Sequence, residues 1–229
     1  MRKTAVVVGV LFWISNLATV IGSVILGPIP GAANALTSLY PHGTQVVVGT
    51  LIAQINDAAI IGYAALLFPV LRTTSEGLAL GYVAFKLVEA VMLVVGAVAL
   101  LSLIALSQDY LAAKAAEASV KAVAEVTLSQ QFWAGRLAAL AYLVATPILN
   151  FLLYRARLVP RFIPVWGFIA LLMLATGLAI GVGDPTRGFQ LGQLLVIPII
   201  LWELVFATWL ILRGFSLSPV ATGDSRRVL

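Results

Sequence analysis

The chain has 229 residues, of which 62% are hydrophobic and 10% charged, against roughly 25% charged in a soluble domain. With a mean hydropathy of +1.07 there is too little polar surface to cover a globule in water, which excludes a soluble enzyme, a secreted disulfide scaffold and a disordered chain. Cysteine is absent, histidine occurs once and the net charge is +5; thiolate metal sites are excluded, and the basic excess fits Lys and Arg held on one side of a membrane rather than a nucleic-acid partner.

A helix needs ~20 mainly apolar residues to cross a ~30 Å hydrocarbon core. Six stretches qualify, roughly 4–27, 46–71, 78–106, 133–154, 162–182 and 190–212. Being long, rich in Leu and Ala and without period-two alternation, they predict helices rather than strands. The expected fold is an all-α polytopic membrane bundle with six transmembrane helices over 1–213, an additional outer-surface helix, and a short cytoplasmic tail over 214–229.

Arg2 and Lys3 before the first run resemble a secretory signal, with Ala33-Asn34-Ala35 as a cleavage site. The run Ala5–Leu26 exceeds the usual 7–15-residue signal core, so the reading keeps it as a span. Its Ser15, Asn16, Thr19 and Ser23 have the spacing to face neighbouring helices. The stretch Gly27–Thr44, with three prolines, Tyr40 and His42, reads as an ordinary outer loop in preference to a re-entrant cover.

In the second span Thr50, Gln54 and Asp57 share a face, with Asn56 adjoining; in the third Tyr82, Lys86 and Glu89 share one that continues to Gly96. Between the third and fourth spans Lys114, Glu117, Lys121 and Glu125 share a helical face, opposite Ala112, Ala116 and Val123. That pattern predicts the outer-surface helix, over about 108–128. The fourth span carries the partly polar line Arg136, Leu143, Thr146, Asn150 and Tyr154. The fifth has no ionisable residue and reads as peripheral. The sixth carries Glu203.

Nine cations (Arg2, Lys3, Arg72, Arg155, Arg157, Arg161, Arg213, Arg226 and Arg227) fall on one side of this topology. Four (Lys114, Lys121, Arg136 and Arg187) fall on the other. The asymmetry places both termini in the cytoplasm.

Charge inside hydrocarbon costs at least ~2.5–3.5 kcal/mol per group, so Asp57, Lys86, Glu89 and Glu203 should face protein or water. The expectation is a polar midplane cavity lined by spans two, three, four and six. Its candidate substrate or proton-site residues are Asp57, Lys86, Glu89, Glu203, Gln54, Asn56, Asn150, Tyr82 and Arg136. A scaffolding role for the same residues stays open: Lys86 and Glu89 can neutralise each other at i,i+3, and polar groups also hold spans together.

No phosphate-binding Gly-rich loop and no HExxH occur, and no cofactor or metal is expected. Asn56-Asp57 begins like a diphosphate-binding NDxxD motif, but Ile60 ends it. A retinal Schiff base on Lys86 is disfavoured by the adjacent Glu89. Leu87–Val91 matches Leu201–Val205, too short a likeness to establish an inverted repeat.

Several segments resemble the bacterial DUF4386 family of integral membrane proteins. They are Thr44–Arg72 with Gln54-Ile-Asn-Asp57, Gly81–Ser107 with Lys86-Leu-Val-Glu89, and Leu152-Leu-Tyr-Arg-Ala-Arg-Leu-Val-Pro160; Trp202-Glu203 also looks like that family's end. The resemblance implies a multispan bundle in a bacterial cytoplasmic membrane and no particular activity.

The leading expectation is binding or passage of a small solute, coupled to protons through the midplane acids. The alternatives are a metal-independent intramembrane enzyme using carboxyl acid/base chemistry on a lipid or isoprenoid, and a structural or regulatory membrane partner. Expected partners are the lipid bilayer and a small-molecule or lipid ligand, with no nucleic acid; the oligomeric state is open.

Overall fold

The computed structural model describes residues 2–27, 32–112, 117–183 and 194–216. Among them every regular element is helical. These are α1 (Arg2–Leu26), α2 (Ala32–Ser38), a 3-10 turn (Tyr40–His42), α3 (Gly43–Leu71), α4 (Glu76–Ala112), α5 (Glu117–Ala156), α6 (Phe162–Gly183) and α7 (Ile197–Leu212). Five of them, α1, α3, α4, α5 and α6, are long and apolar enough to cross a membrane; α7 is an apolar helix of 16 residues. In none of the five is more than 44% of the most apolar stretch buried by protein. The outward remainder, including Leu51, Leu80, Val98, Leu140 and Leu172, is apolar, a surface that only lipid covers without loss. The chain is a multi-pass integral membrane protein.

The limits of α1, α3 and α6 lie within three residues of the predicted 4–27, 46–71 and 162–182. Those of α4 and α5 do not. With 37 and 40 residues they run about 55 and 60 Å at ~1.5 Å per residue, so this antiparallel hairpin projects beyond a ~30 Å core. The separate helix predicted over 108–128 is not formed as such: residues 108–112 continue α4, residues 117–128 open α5, and Lys114 lies outside the described residues. The physical reason is that residues 97–112 and 117–134 hold no glycine or proline, so each helix propagates beyond the apolar part of its span.

The buried face of that extension also differs from the expected one. Ala124 is fully buried, whereas Val123 and Val126 are 50% and 69% exposed. What covers Ala124 is the segment expected to be an ordinary loop. Ala35, Leu36 and Leu39, from α2 and the residue after it, pack with Leu100, Leu103 and Ala124 in a second small core. Buried Ser107 fastens it: its Oγ donates to the Leu36 carbonyl at 2.9 Å and accepts the Tyr40 N–H at 2.9 Å.

In the main core α1 lies between α3 and α7, antiparallel to both. Small residues set this. A methyl group on Gly22 would stand 2.8 Å from the Gly49 carbonyl oxygen, and one on Gly9 would stand 2.6 Å from that of Ala207, so the backbones approach as small-residue membrane interfaces allow. Aromatic rings then lock the three helices. Phe12 stacks on Tyr63 at 4.0 Å and meets Phe206 edge-on at 5.4 Å, and Phe206 stacks on Trp202 at 5.8 Å. The Trp202 indole N–H donates to the Ile163 carbonyl at 2.8 Å, tying α7 to α6. The predicted break at Gly183-Asp184-Pro185 falls at the limit of the described residues, and the predicted tail lies mostly outside them.

Candidate functional site

The aromatic lock fixes the register of α1 against α7, and that register decides which polar residues meet. One turn after Phe12, the Asn16 Nδ2 donates to the Phe12 carbonyl at 2.9 Å and to Glu203 Oε2 at 3.0 Å. From α5, the Tyr142 hydroxyl donates to Glu203 Oε1 at 2.8 Å. Both oxygens of this carboxylate therefore meet donors, supplied by two other helices.

A second group adjoins it on α4. Lys86 Nζ and Glu89 Oε2 are 2.9 Å apart, with side chains only 3% and 8% exposed. The same ammonium lies 4.3 Å from the centre of the Tyr142 ring and 5.6 Å from that of Tyr63, within cation–π range. Tyr142 thus joins the two groups: its face holds the Lys86 cation and its hydroxyl holds Glu203. Removing two charges from water is costly unless they are paired and hydrogen-bonded, and this pairing explains how an apolar helix tolerates both.

A third group lies between α1 and α3. The Ser15 hydroxyl donates to Asn56 Oδ1, and Asn56 Nδ2 donates to Asp57 Oδ1 at 3.1 Å. Buried Asp57 Oδ2 meets no hydrogen-bond partner among the described residues.

A cavity of about 300 Å³ opens where these groups converge. Ser15, Asn16, Asn56, Glu89, Tyr142 and Glu203 give it polar walls, and the rest is mainly apolar, including Ile60, Leu93 and Ile199. Of the nine predicted site residues, Glu89, Glu203 and Asn56 line it. Lys86 and Asp57 stand one contact behind, through Glu89 and Asn56.

The remaining four do not reach the wall. Tyr82 is fully buried one turn before Lys86, its hydroxyl without a partner among the described residues. Gln54 is half-buried on α3 outside the lining. Asn150 packs against Gly167 of α6 with both amide atoms unpartnered there. Arg136 points into the α5–α6 seam, where Nη1 donates to the Leu178 carbonyl at 3.2 Å and the guanidinium lies 4.9 Å from the Phe132 ring. The reason is angular: Arg136 and Asn150 share the face of α5 that meets α6, whereas Gly135, Ala138 and Tyr142 turn toward the cavity.

The walls also differ from the expected four spans. They include α1, through Ser15, Asn16 and Thr19, and α6, through Leu174. The predicted site omitted Tyr63 and Tyr142, and the sequence offered Ser15 and Asn16 only as residues facing neighbouring helices. A signal was nonetheless present, because a tyrosine or asparagine deep in an apolar span needs a hydrogen-bond partner. Among the described residues no three His, Cys, Asp or Glu side chains gather as a metal would require.

The fold defines a polytopic helical membrane protein, with a cavity among its helices whose walls are mainly apolar and partly polar. The chain belongs to the DUF4386 family, a domain of unknown function, whose model matches residues 7–214. No curated protein and no solved structure matches the chain.

Proposed function

We propose that this protein binds a small solute within its bundle and carries it across the membrane in exchange with protons, Glu203 being the group that takes and gives the proton. The single observation that carries the reading is the meeting of Glu203 with Asn16 and Tyr142 on one cavity wall. A carboxyl at membrane depth held by groups from two other helices responds to its own protonation by loosening or tightening them, which links proton binding to helix position. Glu89 and Lys86 would form the fixed counter-charged wall, and Asp57 a second proton site behind Asn56.

In this reading α7 is the sixth span. Its 16 residues cover about 24 Å, and its antiparallel course beside α1 suits an even span count. The basic residues at the α1 N-terminus and at the α3–α4 and α5–α6 connections would then mark the cytoplasmic face of a bacterial inner membrane.

The test is proton flux into proteoliposomes holding a pH-sensitive dye, driven by gradients of a panel of small amines, alcohols and carboxylates. Solute-dependent flux that is lost in Glu203→Gln is the expected result. Equal flux from the wild type and an Asp57→Asn/Glu203→Gln variant removes these carboxyls from the mechanism.

The apolar majority of the lining also suits an acyl or isoprenoid chain, and Tyr142 with Glu203 would serve there as an acid/base pair. Product analysis after incubation with lipid extract separates this enzymatic reading, since a carrier returns its substrate unchanged.

A further inference from the structure

The charges around the cavity identify a class of solute. Glu89 is balanced by Lys86 at 2.9 Å. Glu203 is not: its partners are the neutral Tyr142 hydroxyl and Asn16 amide, and among the described residues no Lys, Arg or His lies within ion-pair distance of it. The groups facing it bring no further cation. From α1 come Ser15 and Asn16, from α3 Asn56 and Tyr63, from α5 Tyr142, and from α6 only Leu174; Lys86 of α4 is engaged by Glu89. Asp57, behind Asn56, is a further acid, hydrogen-bonded by the neutral Asn56 amide and in no ion pair among the described residues. Two buried acids, Asp57 and Glu89, and the half-buried Glu203 thus stand against one buried ammonium.

Resting on the transport reading above, we propose that the cavity receives an organic cation, with Glu203 as its counter-ion. An anion would add like charge where the dielectric is low, and a neutral solute could not take the place of the proton on the carboxyl. A bare metal ion requires several oxygen ligands at fixed geometry, and no three acids gather here among the described residues. The apolar remainder of the wall suits hydrocarbon substituents on the cation.

The exchange balances. A protonated Glu203 releases its proton as the cation arrives, and regains one as the cation departs, so each occupied state of the carboxyl is neutral. One cation is exchanged for one proton.

Three probes with the same trimethyl-substituted quaternary centre test this: choline, its neutral carbon isostere 3,3-dimethylbutan-1-ol, and the anion 3,3-dimethylbutanoate. Equilibrium binding of each is measured on the full chain in nanodiscs of zwitterionic lipid, for the wild type, Glu203→Gln and Glu203→Asp. Choline should bind at least tenfold more tightly than the alcohol, and the carboxylate more weakly still. Glu203→Gln should lower choline affinity at least tenfold and alter alcohol affinity less than twofold, while Glu203→Asp retains the preference for choline. Choline binding that fails to exceed that of the alcohol, or that survives Glu203→Gln unchanged, overturns the cation assignment. If the alcohol or carboxylate then binds and drives proton flux, the transport reading stands without it; if no solute drives flux, that reading falls separately.

Discussion

Replacing Lys86 with methionine strands the charge of Glu89. Methionine keeps much of the length and the apolar stem that packs beside Tyr142, so the change is chiefly electrostatic. At the observed 2.9 Å separation, attraction at an effective dielectric of ~20 is about 6 kcal/mol. Breaking a buried pair from one side typically costs about 3–5 kcal/mol, because the remaining ion is left in the interior. With both side chains under a tenth exposed, solvent offers little relief, and we expect Lys86→Met to lose about 3–5 kcal/mol. Lys86→Met/Glu89→Gln removes both charges and should return to within about 1.5 kcal/mol of the wild type. Reversible unfolding by steric trapping in bicelles measures all three proteins. A Lys86→Met loss below about 1 kcal/mol, or a double variant no better than the single, would refute the claim that this pair is a dry, mutually dependent unit.

Two further substitutions probe the backbone. Gly27 and Gly214 follow α1 and α7 with φ of 67° and 74°, but the left-handed position after α5 is held by exposed Arg157 at φ 52°; Arg157→Gly should therefore stabilise by about 1 kcal/mol in the same unfolding assay, and a loss would show that the guanidinium makes a compensating contact. A methyl on Gly49 would stand 2.8 Å from the Leu26 amide nitrogen, so Gly49→Ala should destabilise by about 1–3 kcal/mol; an unchanged midpoint would show that α1 and α3 are not closely packed at that crossing.

Much of the fold was legible because lipid imposes a simple rule: twenty apolar residues make a span. The limits of α1, α3 and α6 follow from it. The rule fails where hydropathy falls but helicity persists, as in the Ala-rich stretch around Glu117–Glu125, which has no glycine or proline to separate it from the span that follows. The α2 cover was illegible for the opposite reason, since its apolar face is made by residues as common as Ala35, Leu36 and Leu39 meeting a surface distant in sequence. At the site, the cost of charge in hydrocarbon marked Glu89 and Glu203 as groups in search of company. It could not name the company. Asn16 and Tyr142 become partners of Glu203 only through the register set by the ring contacts among Phe12, Tyr63 and Phe206. Arg136 and Asn150 share the polarity of the site residues but sit on the other side of α5, a difference of angle that a residue list does not carry.

The central claim is a water-reachable chamber enclosed by the spans, and a cysteine-free chain allows a direct measurement. Ala139 lines the cavity, while its neighbour Leu140 is 54% exposed on the apolar outside of the bundle. Single cysteines at these two positions, in protein reconstituted in liposomes, are treated with a membrane-impermeant cationic thiosulfonate; the cysteine thiolate attacks its sulfenyl sulfur and expels sulfinate, so reaction needs water at the thiol to ionise it. The account predicts that Ala139→Cys reacts at least tenfold faster than Leu140→Cys. Equal rates, or a faster reaction at Leu140→Cys, would contradict it.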